Sequence, residues 1–284
     1  MPQLKILSAI ERESFESPPV FNNVGRRKYF SLPTGLHTTL ESLRTPTNKA
    51  WLILMYGYFK AAKRFFGSAF NEKDLGYVAK QLGAQLSEIS LQTLHDANYR
   101  RLKNTVLKHF GCTEFDERAR KIVALEIRSM VRSQTRPRLM FEQVVEILIC
   151  RKIEVPSFHS LSELIGAEIN AHKRQLVTLT ESLLTEKAKK LLDRLLESND
   201  DSRAKLKRYY LTLIKTFSHS LQPSAIKGNV EQLLALRELY AEVRPVIEKL
   251  DLTREGLRYF ATHVLKSPTW KLTAREENDR YLHM

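Results

Sequence analysis

Apolar residues recur at three- and four-residue spacing along most of the 284-residue chain, and no stretch alternates apolar and polar positions over the length of a strand. The period predicts an all-α fold, a multi-helical array with no sheet. Ser8-x-x-Glu11 is a capping box that opens a first short helix, and Pro18-Pro19 must end it. The stretch from Asn22 to Thr34 is predicted irregular or extended, after which Leu36, Leu40 and Leu43 fall on one helical face. Thr45-Pro46 is a start signal, because proline at the first helical position gives up an N–H with no intrahelical partner. The helix that follows, to about Phe65, is so apolar that it must lie at the centre of the core.

Apolar spacing and breakers predict further helices at 72–82, 96–110, 116–133 and 138–152, separated by Gly111, Arg136-Pro137 and Val155-Pro156. A longer pair follows at 160–184 and 186–197, then helices at 202–218, 223–249 and 253–265. Ser198-Asn-Asp-Asp201 is the clearest polar break. From Thr273 to Met284 the pattern reads as a helix opened by a capping box at Thr273 and Glu276 and stopping without a C-cap signal, as in a chain cut short. Within the first half, Ala79, Gly83 and Ile89 have helix-turn-helix spacing. A small residue stands in the first helix, a glycine opens the turn, and an aliphatic anchors a second helix. That second helix would run over about 86–94 and present Gln85, Ser87, Glu88, Ser90 and Gln92. Gln92 stands where such units usually carry an apolar residue.

Charge sharpens this picture. Lys and Arg total 46 against 32 Asp and Glu, a net charge of +14. The excess is concentrated in residues 1–165, with 25 basic and 16 acidic side chains. A basic balance gathered in one half points to nucleic acid or another anionic surface. The only cysteines, Cys112 and Cys150, form no paired motif, which fits a reducing compartment. The N-terminus lacks the apolar core of a signal peptide, and the longest apolar run, Ala50 to Phe59, is about half of a membrane span. A soluble, cytoplasmic protein without membrane contact is expected.

Signatures of catalysis are missing. The ten glycines include neither G-x-G-x-x-G nor G-x4-G-K spacing, so no nucleotide cradle is predicted. His109-x2-Cys112 has metal-ligand spacing but no second pair, and neither HExxH nor G-x-S-x-G occurs. No cofactor and no metal is expected. Carboxylates fall mostly at helical spacing beside Lys or Arg, the pattern of solvated faces. Basic clusters remain. Arg26, Arg27 and Lys28 precede Tyr29-Phe30, forming an arm that can lay its cations on phosphates if it is extended. Lys60, Lys63 and Arg64 tip the central helix, and Arg100, Arg101, Lys103 and Lys108 decorate another. Arg132, Arg136 and Arg138 flank a turn.

Several blocks together resemble the N-terminal part of the replicative, cointegrate-forming transposases of bacterial class II transposons, the Tn-three family. They are Leu7-Ser8-x2-Glu11-Arg12, Thr45-Pro46-Thr47-Asn48-Lys49, Gly57-Tyr58-Phe59-Lys60-Ala61, Arg64-Phe65-Phe66 and Tyr77-Val78-Ala79-x-Gln81-Leu82-Gly83. They continue with Tyr99-Arg100-x9-Phe110-Gly111, Arg151-x-Ile153-x-Val155-Pro156 and Leu191-Leu192-Asp193-x-Leu195-Leu196. Their order and spacing agree over most of 1–200. Beyond that the similarity thins to Glu276-x2-Asp279-Arg280-Tyr281-Leu282. In that family the N-terminal helical region binds the terminal inverted repeats, while the metal-binding carboxylate triad lies in an RNase H-like domain further along. The resemblance therefore implies a DNA-recognition part that does not itself cut.

The expected layout is an N-terminal helical DNA-binding domain over 1–165 and a helical connector over 166–284. The partner is double-stranded DNA carrying transposon inverted repeats, in a bacterial, nucleoid-associated setting, with a homodimer as the open question of assembly. Charge and spacing nominate Arg26, Arg27, Lys28, Lys60, Lys63 and Arg64 for backbone contacts, and Gln85, Ser87, Arg100 and Arg101 for the groove. The rival is a helical protein–protein interaction or dimerisation module whose basic surface is incidental.

Overall fold

The computed structural model describes residues 6–90, 94–133, 136–199, 208–215 and 219–284. These residues are all-α in class, as the apolar period predicts, and divide into two compact units. The first comprises residues 1–127 and 136–167, and the second 128–135 and 168–284. No helix among the described residues is long and apolar enough to cross a membrane.

In the first unit, α1 (Ala9–Glu16) opens with both hydrogen bonds of the Ser8/Glu11 capping box. Next come α2 (Asn23–Phe30), α3 (Thr34–Ser42), α4 (Pro46–Ala62), α5 (Glu72–Leu82) and α6 (Asp96–Phe110). The first parts of α7 (Glu117–Arg132) and α9 (Phe158–Leu183), together with α8 (Pro137–Cys150), complete it. Helix α2 corrects the expectation of an extended segment. The Asn22 side chain caps it by accepting from the Gly25 N–H at 2.7 Å, and Phe30 at its end is fully buried.

Helix α4 is the centre of this unit. Thr45 caps it, Pro46 occupies its first turn, and every residue from Ala50 to Phe59 is buried. It ends at Lys63 in the left-handed region, two residues short of the expected end. Helices α2, α5 and α6 pack around it. Gly57 sets the closest approach: a β-carbon there would lie 2.5 Å from Phe30 Cε1 and 3.1 Å from the Tyr29 carbonyl. Only a residue without a side chain lets α2 lie this close.

A buried polar knot fixes the same three helices. Asp74 of α5 is wholly buried. It accepts from Arg26 Nε of α2 at 2.7 Å and from the Tyr58 hydroxyl of α4, also at 2.7 Å. The Tyr58 oxygen in turn accepts from the Asn71 N–H at 3.2 Å. Burial, followed by the bond to Asp74, drives the Tyr58 pKa far above its ordinary value despite the opposing bond from Asn71.

In the second unit, α10 (Glu186–Leu195) buries Ala188, Leu192 and Leu195. This face packs with Leu211 of α11 (Tyr210–Lys215) and Val246 of α12 (Pro223–Lys249). The helix predicted over 202–218 is represented by α11, because Arg208–Tyr209 instead pairs antiparallel with Ser198–Asn199. The rest of that prediction falls on residues outside the described ones. This two-residue ladder is too short to form a layer of its own, and the class remains all-α.

Three further helices end the chain: α13 (Arg254–Lys266), α14 (Thr269–Thr273) and α15 (Glu277–Leu282). Thr273 does not cap the last helix as expected. It closes α14, donating its hydroxyl to the Trp270 carbonyl at 2.8 Å, and α15 starts from Glu276. Here the Arg275 guanidinium donates to His263 Nε2 at 3.0 Å and to His283 Nε2 at 3.3 Å. A guanidinium has no acceptor, so both rings accept there, and His283 Nδ1 is left to donate to the Asp279 carbonyl at 2.7 Å. Burial, with Arg275 adding repulsion, lowers both histidine pKa values from 6.5.

Two measurements check these contacts. Gly57→Ala is expected to destabilise the first unit by about 1–3 kcal/mol in urea unfolding, through overpacking against Phe30. Gly76→Ala, with open space around its β-carbon inside α5, should instead add about 0.4–1 kcal/mol. The histidine pair sets a pH dependence opposite in sign to that of a histidine–carboxylate ion pair. Because the folded pKa values lie below the unfolded one, the unfolded state binds more protons just below pH 6.5. The contribution to stability is complete above that pH and is lost as pH falls through the lowered values. Amides of α13–α15 should therefore exchange faster at pH 5 than at pH 7.5, after correction for intrinsic rates. His263→Gln should flatten the difference.

Candidate nucleic-acid interface

The helix-turn-helix expectation is corrected in its second half. Ala79 and Ile89 are buried, and Gly83 ends α5 in the left-handed region, as the spacing predicts. The recognition helix does not form over 86–90, where Leu86–Glu88 makes a single 3-10 turn; Leu91, Gln92 and Thr93 lie outside the described residues. The reason is a strap to α4. Thr47 Oγ1 donates to the Glu88 carbonyl at 3.1 Å, and Trp51 Nε1 donates to the Ser90 carbonyl at 3.2 Å. The Ser90 N–H donates back to Thr47 Oγ1 at 3.2 Å. Backbone groups that a helix would use internally are committed to these partners. Gln85 and Ser87 remain exposed on the turn but not on a helix.

Two nominated cations are also withdrawn from the surface. Arg26 lies in α2, ion-paired to the buried Asp74 with only 11% of its side chain exposed. Arg64 is 7% exposed. Its guanidinium donates to the Phe15 carbonyl at 2.7 Å and lies over the Phe15 and Phe66 rings at 4.3 and 5.0 Å. Arg64 thus ties the end of α1 to the end of α4, and burial lowers its pKa. Elsewhere the carboxylates take other cations. Arg138 pairs with both Glu11 and Glu142, and Lys103 with Glu114 and Glu154.

The other cations gather into a face of the first unit. Lys60 Nζ donates to the Lys28 carbonyl at 2.9 Å and lies 5.6 Å from the centre of the Tyr56 ring. Tyr56 stacks on Phe110 at 5.3 Å, and Lys63 Nζ lies 4.8 Å over that same ring. His109 meets both rings edge-on. Lys152, for which the sequence offers no motif, joins Lys63 around Cys112. Arg27 and Lys28, in the last turn of α2, are exposed, and the Lys28 carbonyl is the one that Lys60 reaches. Among the described residues, Arg27, Lys28, Lys60, Lys63 and Lys152 have no carboxylate within ion-pair distance. On α6, Arg100 and Arg101 are exposed and likewise unpaired, with Asn104 and Lys108 following at helical spacing. Cations interleaved with aromatic rings and unopposed by carboxylates can take phosphate oxygens and, at the ring edges, the faces of bases. His109 and Cys112 do not form part of a metal cluster: among the described residues no group of three or more His, Cys, Asp or Glu converges.

Fold and surface together define an all-helical domain with a basic-aromatic face. The chain belongs to the DUF4158 family, described as a domain of unknown function, whose model matches residues 6–167. No curated protein is similar enough to match it.

The sorting of cations is testable without any ligand. Arg26→Ala should cost about 3–5 kcal/mol in urea unfolding, because it strands the buried Asp74 carboxylate. Lys60→Ala, at a half-exposed position, should stay within about 0.5 kcal/mol of the parent. Similar losses for both would mean that Lys60 is a structural residue.

Proposed function

We propose that this chain binds double-stranded DNA through the basic-aromatic face of its first unit, as the inverted-repeat recognition part of a Tn-three family transposase. The observation that carries the reading is the group Arg27, Lys28, Lys60, Lys63 and Lys152, whose charges are left unneutralised while neighbouring cations are paired or buried. Maintaining several like charges together costs repulsion, which a polyanion relieves. The transposase assignment draws support from the residue blocks of Leu7 to Pro156, which lie within the DUF4158 match. The proposed division of roles has Lys28, Lys60, Lys63 and Lys152 on phosphates, with Arg100, Arg101 and Asn104 of α6 at base edges, where arginine favours guanine and asparagine adenine. The chain recognises DNA in this reading and leaves strand cutting to a separate catalytic domain. A helical interaction module with an incidental basic surface is the competing reading.

A mobility-shift assay at two salt concentrations decides between them. It compares a duplex carrying the terminal inverted repeats that flank the gene with a scrambled duplex. Tighter binding to the repeat is expected, with affinity falling steeply as salt rises. In a variant with Lys28, Lys60 and Lys63 all replaced by Ala, the log–log salt slope should shrink by about one for each of these lysines that neutralises a phosphate. Absence of binding to either duplex defeats the reading, and an unchanged slope would place the surface elsewhere. Nicking of the duplex by the purified chain with magnesium would overturn the non-catalytic assignment.

A further inference from the structure

Among the described residues, three non-glycine positions have positive φ: Lys63 at 57°, Lys152 at 55° and Asp251 at 47°. Residues with a β-carbon adopt this region reluctantly, and glycine is the ordinary choice where a helix ends this way. Lys63 follows α4 and Lys152 follows α8, yet both line one cavity of about 200 Å³. Their backbones are pinned: Val155 N–H donates to the Lys63 carbonyl and Thr113 N–H to the Lys152 carbonyl, each at 2.9 Å. Thr113 also bridges to Ile153. The two lysine stems therefore leave from backbone points fixed in the lining of the cavity.

The remaining walls are Phe110, Cys112, Ile149 and Ile153, and no carboxylate is among them. Both ammonium charges act on the Cys112 thiol, opposing the upward pull of burial on its pKa. Ile149 leaves 42% of its surface to solvent beside these cations. An apolar cavity flanked by two unpaired cations matches an anion that carries a flat apolar body. Inorganic phosphate would use the lysines and leave the walls bare, and an aliphatic group would use the walls and leave the charges unanswered. A nucleotide uses both.

We propose that this cavity receives one unpaired nucleotide of bound DNA, with the base against Phe110, Ile149 and Ile153 and its phosphate between Lys63 and Lys152. Lys63 leaves its place over the Phe110 ring to make that contact. The inference rests on the DNA-binding reading and adds a distinct property to it, a preference for duplex with an extruded or unpaired base. Unstacking such a base is least costly where pairing is already broken.

Cys112 provides the readout. Cys150→Ser removes the exposed second thiol, so alkylation by iodoacetamide then reports on the cavity alone. The rate is measured without DNA, with a fully paired duplex, and with the same duplex carrying one bulged thymidine. Both duplexes are held at saturation, as judged by fluorescence anisotropy. The bulged duplex should slow alkylation about tenfold relative to the paired one, the scale of a single stacked base. Adding Lys63→Gln and Lys152→Gln should bring the two rates together. Equal slowing by both duplexes, or no slowing by either while both are bound, overturns the nucleotide cavity and leaves DNA binding intact. Failure of both duplexes to bind overturns the DNA reading and this inference with it, and anisotropy reports that outcome separately.

Discussion

A carboxylate with no access to water is the constraint on which the first unit depends. Asp74 is fully buried, and an isolated charge there would be prohibitive, so its partners must be delivered to it. Arg26 and Tyr58 answer from two different helices. Satisfying one residue thereby fixes the rotation of α2, α4 and α5 at once. The arrangement also uses Gly57, because Arg26 reaches Asp74 only if α2 lies close on α4, where a methyl group would strike Phe30. The consequence appears at the surface. With α2 held in this register, the Lys28 carbonyl lies within reach of Lys60, and the two basic segments form one face.

This packing sorts cations that the sequence presents as equivalent. In the run Arg26-Arg27-Lys28, the first side chain enters the core and the next two stay outside, as a helix turning about 100° per residue requires. Lys63 and Arg64 are likewise adjacent, yet the left-handed residue between α4 and the following loop sends Arg64 inward to Phe15 while Lys63 remains over Phe110. Net charge could not distinguish them.

Most of the helices were legible because their signals are local. Ser8 and Glu11, Thr45 and Pro46, Gly83 and Gly111 all start or stop helices where capping chemistry predicts. The failures share a different cause. Helix α2 depends on a short Asn22 cap and on burial of Phe30 against Gly57, a contact between residues far apart in the chain. The expected recognition helix loses its backbone groups to Thr47 and Trp51, about 40 residues earlier. At the candidate site, Lys60 and Lys63 were visible as the tip of an apolar helix. Arg26 and Arg64 were misplaced because their partners, Asp74 and the Phe15 carbonyl, are distant in sequence. Lys152 was missed for the same reason. Its only local signal is a basic pair between the end of α8 and the Val155-Pro156 break.

The aromatic rings beneath the lysines bear on how such a face would meet a polyanion. A free lysine gives up as much as about 2 kcal/mol of rotamer entropy when a contact immobilises it. Here Tyr56 holds the Lys60 ammonium and Phe110 that of Lys63, with the chemistry of a cation over a ring face. That attraction is worth only about 0.5–1 kcal/mol at an exposed site, too little to neutralise the charge or compete with a phosphate. It is enough to narrow the rotamers beforehand. Carboxylate partners would also order the side chains, but a ligand would then have to break an ion pair. Among the described residues these lysines have no such partners, whereas Arg138 and Lys103 do; in the proposed reading, that difference leaves the face open to an anion.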